Sequence, residues 1–292
     1  MWIVFACGSA LFAGLTAVLA KAGIREIDST LATALRTPVV LVAACAMVLI
    51  RGSQSQIASI DAATLGWLIA SGLATGASWL CYFKALQLGE ASKVAPIDKL
   101  STVLTVLTVL LAVLLLGESL TVIGGVGVVL MVAGTLLMLD RSDAVTLAPR
   151  RAGSRGWLLY VLGSAVFAAL TAILGKLGIV GVESNLGTAI RTALVLVMAW
   201  AMVAVSGRRR PLPSLPRREV MLVLASGLTT GASWLCFYRA LQDGPASVIV
   251  PIDKLSILVT VAFSVLILRE RLSRRYLVGL ALLTLGTLAM VL

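Results

Sequence analysis

The chain has 292 residues, of which 60% are hydrophobic and only 13% are charged, and its formal net charge at pH 7 is +11. Soluble domains carry roughly 25% charged residues, so this composition excludes an ordinary soluble protein. The basic residues crowd into a few connecting loops, where such residues set membrane topology. We therefore expect a lipid bilayer, and no nucleic acid, as the partner of this charge.

Apolar runs recur along the whole chain, and each is long enough to cross a hydrocarbon layer of about 30 Å as a helix. The first half predicts helices near residues 2–20, 31–50, 64–88, 94–116 and 121–139. The second half predicts helices near residues 157–175, 187–206, 220–241, 246–268 and 275–292. We predict an all-α integral membrane protein with ten transmembrane helices, divided into a five-helix repeat at 1–140, a polar linker at 141–156 and a second repeat at 157–292.

The second half is a copy of the first. The stretch from Ser71 to Cys81 returns at Ser226 to Cys236 with one change, Ala74 to Thr229. The same shift maps Lys21 onto Lys176, Arg36 onto Arg191, and residues 96–99 onto residues 251–254. Because each copy has an odd number of spans, the second copy enters the membrane from the opposite face. The sequence therefore predicts inverted repeats, an architecture shared by many secondary transporters.

The loop charges predict the orientation. Between its second and third helices the first half has only Arg51, whereas the matching loop has Arg208, Arg209, Arg210, Arg217 and Arg218. With the linker included, nearly all basic loop residues fall on one side, and the other side holds Arg51 and Lys176. The positive-inside rule makes the basic side cytoplasmic. We expect a multi-pass protein of the cell (inner) membrane, with cytoplasmic arginine-rich linker and loops and both termini outside.

Ionisable residues within membrane spans are costly and are functional candidates by default. The basic ones are Arg36, Lys84, Lys99, Arg191, Arg239 and Lys254, and the acids beside them are Asp98 and Asp253. Two alternatives stay open at this stage. The long basic side chains could extend to the headgroups, and Asp98 could lie in the first turn of a helix that starts at Pro96, rather than in a helix broken there.

These residues form two tiers at opposite membrane faces, because helix ends that share a face bring their charges together. The first tier contains Lys21, Arg36, Lys84, Asp98 and Lys99, and the second contains Lys176, Arg191, Arg239, Asp253 and Lys254. We hypothesise that each tier seals its own end of a central path through ion pairs that break on opening. Each tier is net positive, which favours a carboxylate- or phosphate-bearing solute, and Asp98 and Asp253 are the candidates for taking up a proton.

Two further patterns concern packing. Trp79 and Trp234 lie in the third helix of each half among small residues, and each is either a packing residue or an aromatic wall of the path. Glycines recur at heptad spacing in the fifth and tenth helices, which indicates a close helix seam. That seam could lie inside one chain or join two chains in a homodimer.

The chain resembles the drug/metabolite transporter superfamily, specifically its EamA-domain proteins. The matching stretches are residues 76–79, 84–89 and 91–100 with their second-half copies, and the halves look like short five-helix members fused head to tail. The resemblance implies alternating access and a cavity enclosed by the first four helices of each half, which places Trp79, Asp98, Lys99 and their copies near the path. Ten-helix members usually have cytoplasmic termini, whereas the charges of this chain argue for the reverse.

We therefore expect a secondary transporter for a small polar or anionic metabolite, amino-acid-like or related, coupled to protons or working by exchange. The alternatives are a channel, a lipid flippase or a non-transporting receptor. An enzyme is not expected, because the sequence has no histidine, no clustered cysteines and only isolated aspartates in the spans. The same features predict no metal site, and the lack of phosphate-cradling glycine motifs predicts no cofactor.

Overall fold

The structure is a computed structural model that describes residues 1–23, 27–88, 97–138, 156–206, 215–266 and 273–291. All regular elements in these ranges are helical. The first repeat contains α1 Trp2–Gly23, α2 Ser29–Arg51, a 3₁₀ helix Ser53–Ser59, α3 Ala62–Leu88, α4 Ile97–Leu116 and α5 Val122–Met138. The second repeat contains α6 Gly156–Gly178, α7 Ser184–Ser206, α8 Arg217–Asp243, α9 Ala246–Asp253, α10 Ser256–Leu266 and α11 Arg274–Ala289.

Long apolar helices confirm the all-α membrane class. Six helices in the described ranges are long and apolar enough to cross a membrane, judged by length and composition. They are Trp2–Ala20, Thr30–Arg51, Ala62–Cys81, Ser184–Ser206, Arg217–Asp243 and Ala246–Phe263, the last of which joins α9 and most of α10. Three shorter apolar helices are Thr105–Leu116, Val122–Met138 and Leu162–Gly178.

Short polar loops end and restart these helices. The Asp28 carboxylate accepts a hydrogen bond from the Thr30 backbone N–H at 2.9 Å and caps α2, as short polar side chains commonly do at helix starts. Gly52 ends α2 with a φ of 68°, a left-handed conformation that glycine adopts without steric cost. Asp61 then caps α3 by accepting from the N–H groups of Ala63 and Thr64, both at 3.1 Å.

Hydroxyl contacts show that the two repeats are inverted. The hydroxyls of Ser9 and Ser233 lie 3.2 Å apart, and those of Thr16 and Thr230 lie 3.5 Å apart. Residue numbers rise along α1 as they fall along α8, so these helices are antiparallel. Because α8 is the copy of α3, which runs in the same direction as α1, the second repeat is upside down relative to the first.

The symmetry-related contacts are present as well. The copies of Ser9 and Ser233 are Ser164 and Ser78, whose hydroxyls also lie 3.2 Å apart. The copies of Thr16 and Thr230 are Thr171 and Thr75, which lie 3.3 Å apart. Helix α3 therefore packs against α6 as α8 packs against α1, and each pair joins one repeat to the other.

The glycine seam lies inside one chain. A Cβ atom on Gly127 would meet the carbonyl oxygen of Gly286 at 2.6 Å, and one on Gly134 would meet that of Gly279 at 2.5 Å. Only a residue without a side chain permits such an approach. Helices α5 and α11, the last helix of each repeat, thus pack directly against each other.

The ninth helix predicted over residues 246–268 is present as one apolar span, Ala246–Phe263, but it is interrupted within that span. The chain is helical in α9, turns at Lys254 and Leu255, and becomes helical again at Ser256. Pro251 lies inside α9, where it lacks an N–H group and clashes with the preceding turn. The break leaves Asp253 as the last residue of α9 and Lys254 as its C-cap. In the first repeat Pro96 lies outside the described residues, and the described part of α4 is Ile97–Leu116.

Candidate functional site

A cavity of about 230 Å³ lies at the interface of the two repeats. Its polar lining from the first repeat comes from Ser9 on α1, Thr75 on α3 and Thr108 on α4. Among the described residues, the second repeat contributes the charged and aromatic groups, which are Arg191, Trp234, Phe237, Tyr238, Asp253 and Lys254. The contact between inverted repeats is where secondary transporters hold their solutes.

Arg191 lies in the wall of this cavity and is only 2% exposed. Its guanidinium carbon lies 4.2 Å from the centre of the Tyr238 ring and 5.0 Å from that of Trp234. One terminal nitrogen donates to the Thr75 hydroxyl at 3.2 Å. Since a buried cation is costly unless it is paired, the two ring faces and this hydroxyl provide the stabilisation that the described residues offer it.

The Nε atom of Arg191 differs from that terminal nitrogen in its hydrogen bonding. Among the described residues it has no hydrogen-bond partner, although it is buried. Leaving a buried donor unpaired is costly, more so for a charged group. The described residues therefore leave one donor of the guanidinium unsatisfied.

Asp253 supplies the opposite charge. It is the last residue of α9 and lines the cavity, and the Ser9 hydroxyl donates to its Oδ1 atom at 2.7 Å. This contact joins the second repeat to α1 of the first. Arg191 and Asp253 do not form an ion pair with each other; the ion pairs among the described residues are Lys176 with Glu118 and Arg239 with Asp243. Both charges are thus presented to the same cavity separately.

The other second-tier residues lie away from the cavity. Lys176 donates to Glu118 at 2.6 Å and to the Gly244 carbonyl at 2.8 Å. Arg239 pairs with Asp243 at 3.3 Å on its own helix, and its side chain is 39% exposed. The predicted tier therefore divides into a cavity group, formed by Arg191, Asp253 and Lys254, and two residues at helix ends.

Most of the first tier lies outside the described side chains, which applies to Lys21, Lys84, Asp98 and Lys99. Arg36 is described and is half-buried on α2. Its backbone oxygen lies 2.8 Å from the position of a Cβ on Gly227. Gly72, the copy of Gly227, approaches Arg191 in the same way, so the backbones around the two arginines obey the pseudo-symmetry.

The two predicted tryptophans have different surroundings. Trp234 lines the cavity and faces the guanidinium of Arg191. Trp79 packs against a buried apolar cluster that includes Leu31, Ala199 and Val203. Trp234 is thus a wall of the cavity, and Trp79 is a packing residue between helices.

Sequence reasoning left several residues of this region out of the candidate set. Ser9, Thr75 and Tyr238 contact the charged side chains, and their only sequence signal was a place in the duplicated stretches or an adjacent aromatic pair. Among the described residues, no group of three His, Cys, Asp or Glu could hold a metal ion.

Glu118, in the loop between α4 and α5, was also missed. Its Oε1 atom accepts from Lys176 Nζ at 2.6 Å and from the Ala246 N–H at 2.8 Å, and its Oε2 atom accepts from the Ser247 N–H at 2.8 Å. Burial raises the pKa of this carboxyl, but the bonds from Lys176 and from Ser247 and Ala246 outweigh it and hold the pKa below its ordinary value. Glu118 is therefore an ionised carboxylate at neutral pH.

Comparisons with known proteins agree with this architecture. The sequence model of the EamA-like transporter family matches residues 1–140 and 155–292. An "Uncharacterized transporter in cobO 3'region" from Sinorhizobium sp. is 47% identical over 137 residues, which are 47% of this chain and 95% of that protein. That relative thus has about the length of one repeat. A crystal structure of a protein that is 18% identical superposes with a TM-score of 0.74 over 97% of this chain and 94% of that chain, and so shares the fold.

Proposed function

Because the chain belongs to the EamA-like transporter family, we propose that it is a secondary transporter that moves a small polar or anionic metabolite by alternating access. The observation that carries this proposal is the cavity that both inverted repeats line, with the buried cation of Arg191 in its wall. Inverted repeats that meet at a solute site can open it to either side by rocking against each other.

The size of the cavity supports a small solute. Its volume of about 230 Å³ is below the roughly 300–1,000 Å³ of pockets for drug-sized ligands. Among the described lining residues the formal charges are those of Arg191 and Lys254 against Asp253, which is net positive. In low-dielectric surroundings such a lining raises the local concentration of anions. A solute with a carboxylate and an ammonium group, such as an amino acid, could use Arg191 and Asp253 together.

Asp253 is the group in the described cavity wall that could couple transport to protons. Such coupling requires the bonding of its carboxylate to differ between the two conformations of the repeats. Its bond from Ser9 of the other repeat gives a physical reason for the difference, because movement of the repeats would make or break that bond. Exchange of one solute for another is the alternative form of coupling.

The function is tested with purified full-length protein in liposomes, against radiolabelled amino acids, small organic acids and inorganic phosphate. A carrier shows saturable uptake that accelerates when the same unlabelled solute is placed inside the vesicles. A channel shows uptake without that acceleration, and a receptor shows binding without uptake. Movement of a fluorescent lipid with no solute uptake supports a flippase, and each of these last three outcomes contradicts the proposal.

A further inference from the structure

One carboxylate of the first repeat holds two elements of the second. Glu118 accepts a hydrogen bond from Lys176 near the end of α6 and two more from the first residues of α9. Lys176 also donates to Gly244, in the loop that precedes α9, at 2.8 Å. The end of α6 and the start of α9 are thus tied together through a residue that belongs to neither.

The start of α9 has no cap of its own. The residue at its N-cap position is Pro245, which makes no side-chain cap bond, whereas helix caps usually come from the residue that immediately precedes the first turn. The N–H groups of Ala246 and Ser247 instead bond to Glu118, more than a hundred residues earlier in the chain. A carboxylate at this end of a helix also interacts favourably with the helix dipole.

Both held elements lead directly to the cavity. Helix α9 has eight residues and ends at Asp253, so its capped start lies about 10 Å from that residue of the cavity wall at 1.5 Å per residue. On α6, Ala172 lines the cavity, and it precedes Lys176 by one helical turn. A movement at Glu118 is therefore transmitted over a short, rigid path to the residues that line the cavity.

We propose that Glu118 is a positioning residue of the transport cycle, which closes the end of the cavity where α6 ends and α9 begins and releases it when the repeats move apart. The proposal rests on the proposed alternating access. Its physical basis is that all of the bonds to the carboxylate come from the opposite repeat. Relative movement of the repeats cannot occur without changing them.

The test measures access to the cavity and needs no knowledge of the solute. In a full-length protein whose four cysteines are replaced, Ala172→Cys places one thiol in the cavity wall. Labelling is followed with a membrane-impermeant maleimide added to either side of membrane vesicles. Ser119→Cys, at an exposed position beside Glu118, identifies the side that faces this end of the molecule.

We expect Glu118→Gln to raise the labelling rate at Ala172→Cys from that side by about tenfold, the factor that corresponds to losing one hydrogen bond to a charged group. Lys176→Met should raise it less, because the carboxylate still caps α9. Lys176→Arg, which keeps the charge, should leave labelling near the parent rate. Asp243→Asn is the matched control, since it removes a carboxylate at the end of α8 that bonds only within its own helix.

Unchanged labelling in Glu118→Gln would overturn the proposal, as would an equal rise in Asp243→Asn or an equal rise from both sides. Size-exclusion profiles establish that each variant is folded. If Glu118→Gln does not fold, Lys176→Met serves as the second variant. If the parent protein takes up no solute but Glu118→Gln shows the one-sided rise in labelling, the transport function is refuted and the closure stands. Normal uptake with unchanged labelling would refute the closure alone.

Discussion

Gly134 on α5 and Gly279 on α11 approach so closely that a Cβ atom on either would lie 2.5 Å from the carbonyl oxygen of the other. Their pseudo-symmetry partners, Gly286 and Gly127, make the corresponding contact one heptad away. The seam is thus related to itself by the axis that exchanges the repeats. It joins the last helix of each repeat by backbone contact.

Gly134→Ala should destabilise the protein, because the new methyl group meets backbone atoms that cannot rotate away. Forcing an extra methyl group into a packed interface costs about 1–3 kcal/mol, so we expect a clearly lower midpoint of thermal unfolding in detergent. Gly125→Ala is the control on the same helix, since a Cβ there meets nothing within 4 Å. Equal midpoints for the two variants would show that the seam contributes little to stability.

Arg191→Met separates a structural from a functional role of the buried arginine. An apolar side chain of similar length removes the cost of burying a cation, and such replacements are often neutral or stabilising. We expect an unfolding midpoint at or above that of the parent protein, together with loss of uptake of the solute that the parent accumulates. Arg51→Met, at an exposed position at the end of α2, should retain uptake. A lower midpoint with normal uptake in Arg191→Met would make the arginine purely structural.

Asp253→Asn should uncouple transport from protons. The amide keeps the size of the carboxylate and can still accept the bond from Ser9, but it cannot release a proton at physiological pH. We expect loss of uphill accumulation driven by a pH gradient, with exchange of labelled for unlabelled solute retained. Asp243→Asn should behave as the parent protein. If Asp253→Asn still accumulates solute against its gradient, the coupling group lies elsewhere.

The stabilisation from Glu118 should disappear in acid. Because the pKa of its carboxyl is lowered in the folded protein from the ordinary value of 4.5, the ionised form contributes stability above that value and loses it as the pH falls through the folded pKa. The unfolding midpoint of Glu118→Gln should therefore lie below that of the parent at neutral pH, and the difference should shrink only below about pH 4.5. A difference that persists unchanged in acid would contradict this assignment.

Equivalent loops should lie on opposite sides of the membrane. Cysteines introduced at Arg51 and at Arg209 occupy the matching loops of the two repeats, and an impermeant maleimide should reach them from opposite sides. By the positive-inside rule, Arg209→Cys should be labelled from the cytoplasm. Ser55→Cys, in the adjacent 3₁₀ helix, serves as a second marker for the Arg51 side. Labelling of both positions from one side would mean parallel repeats.

Local sequence patterns predicted the positions of most helices. The predicted spans agree with the described helices to within a few residues, except at the ninth span, because apolar length and helix-ending residues are local properties. Pro251 lies in that span just as Pro96 lies in the fourth, but the sequence alone left open whether either proline breaks its helix. At Pro251 the chain tightens after α9, with the N–H groups of Lys254 and Leu255 bonded to the carbonyls of Pro251 and Ile252.

The candidate site was only partly predictable, since charge within an apolar span identifies an unusual residue but not its partner. The sequence identifies both Arg191 and Asp253 as candidates, and their opposite charges predict an ion pair within one tier. In the structure Arg191 contacts two rings and Thr75, and Asp253 contacts Ser9, in each case with at least one partner from the other repeat. Glu118 lies at an unremarkable helix boundary, so nothing in its local sequence indicated its contacts.

Duplication with an odd number of spans was enough by itself to determine the inverted architecture, because the direction of each helix follows from counting membrane crossings. It also determined that contacts between the repeats occur in related pairs, as Ser9 with Ser233 and Ser164 with Ser78. Only the tertiary structure decided that Arg191 and Trp234, rather than their copies Arg36 and Trp79, line the described cavity. Side chains separated by hundreds of residues meet through the packing of whole helices, and that packing is not encoded in the spacing of any one segment.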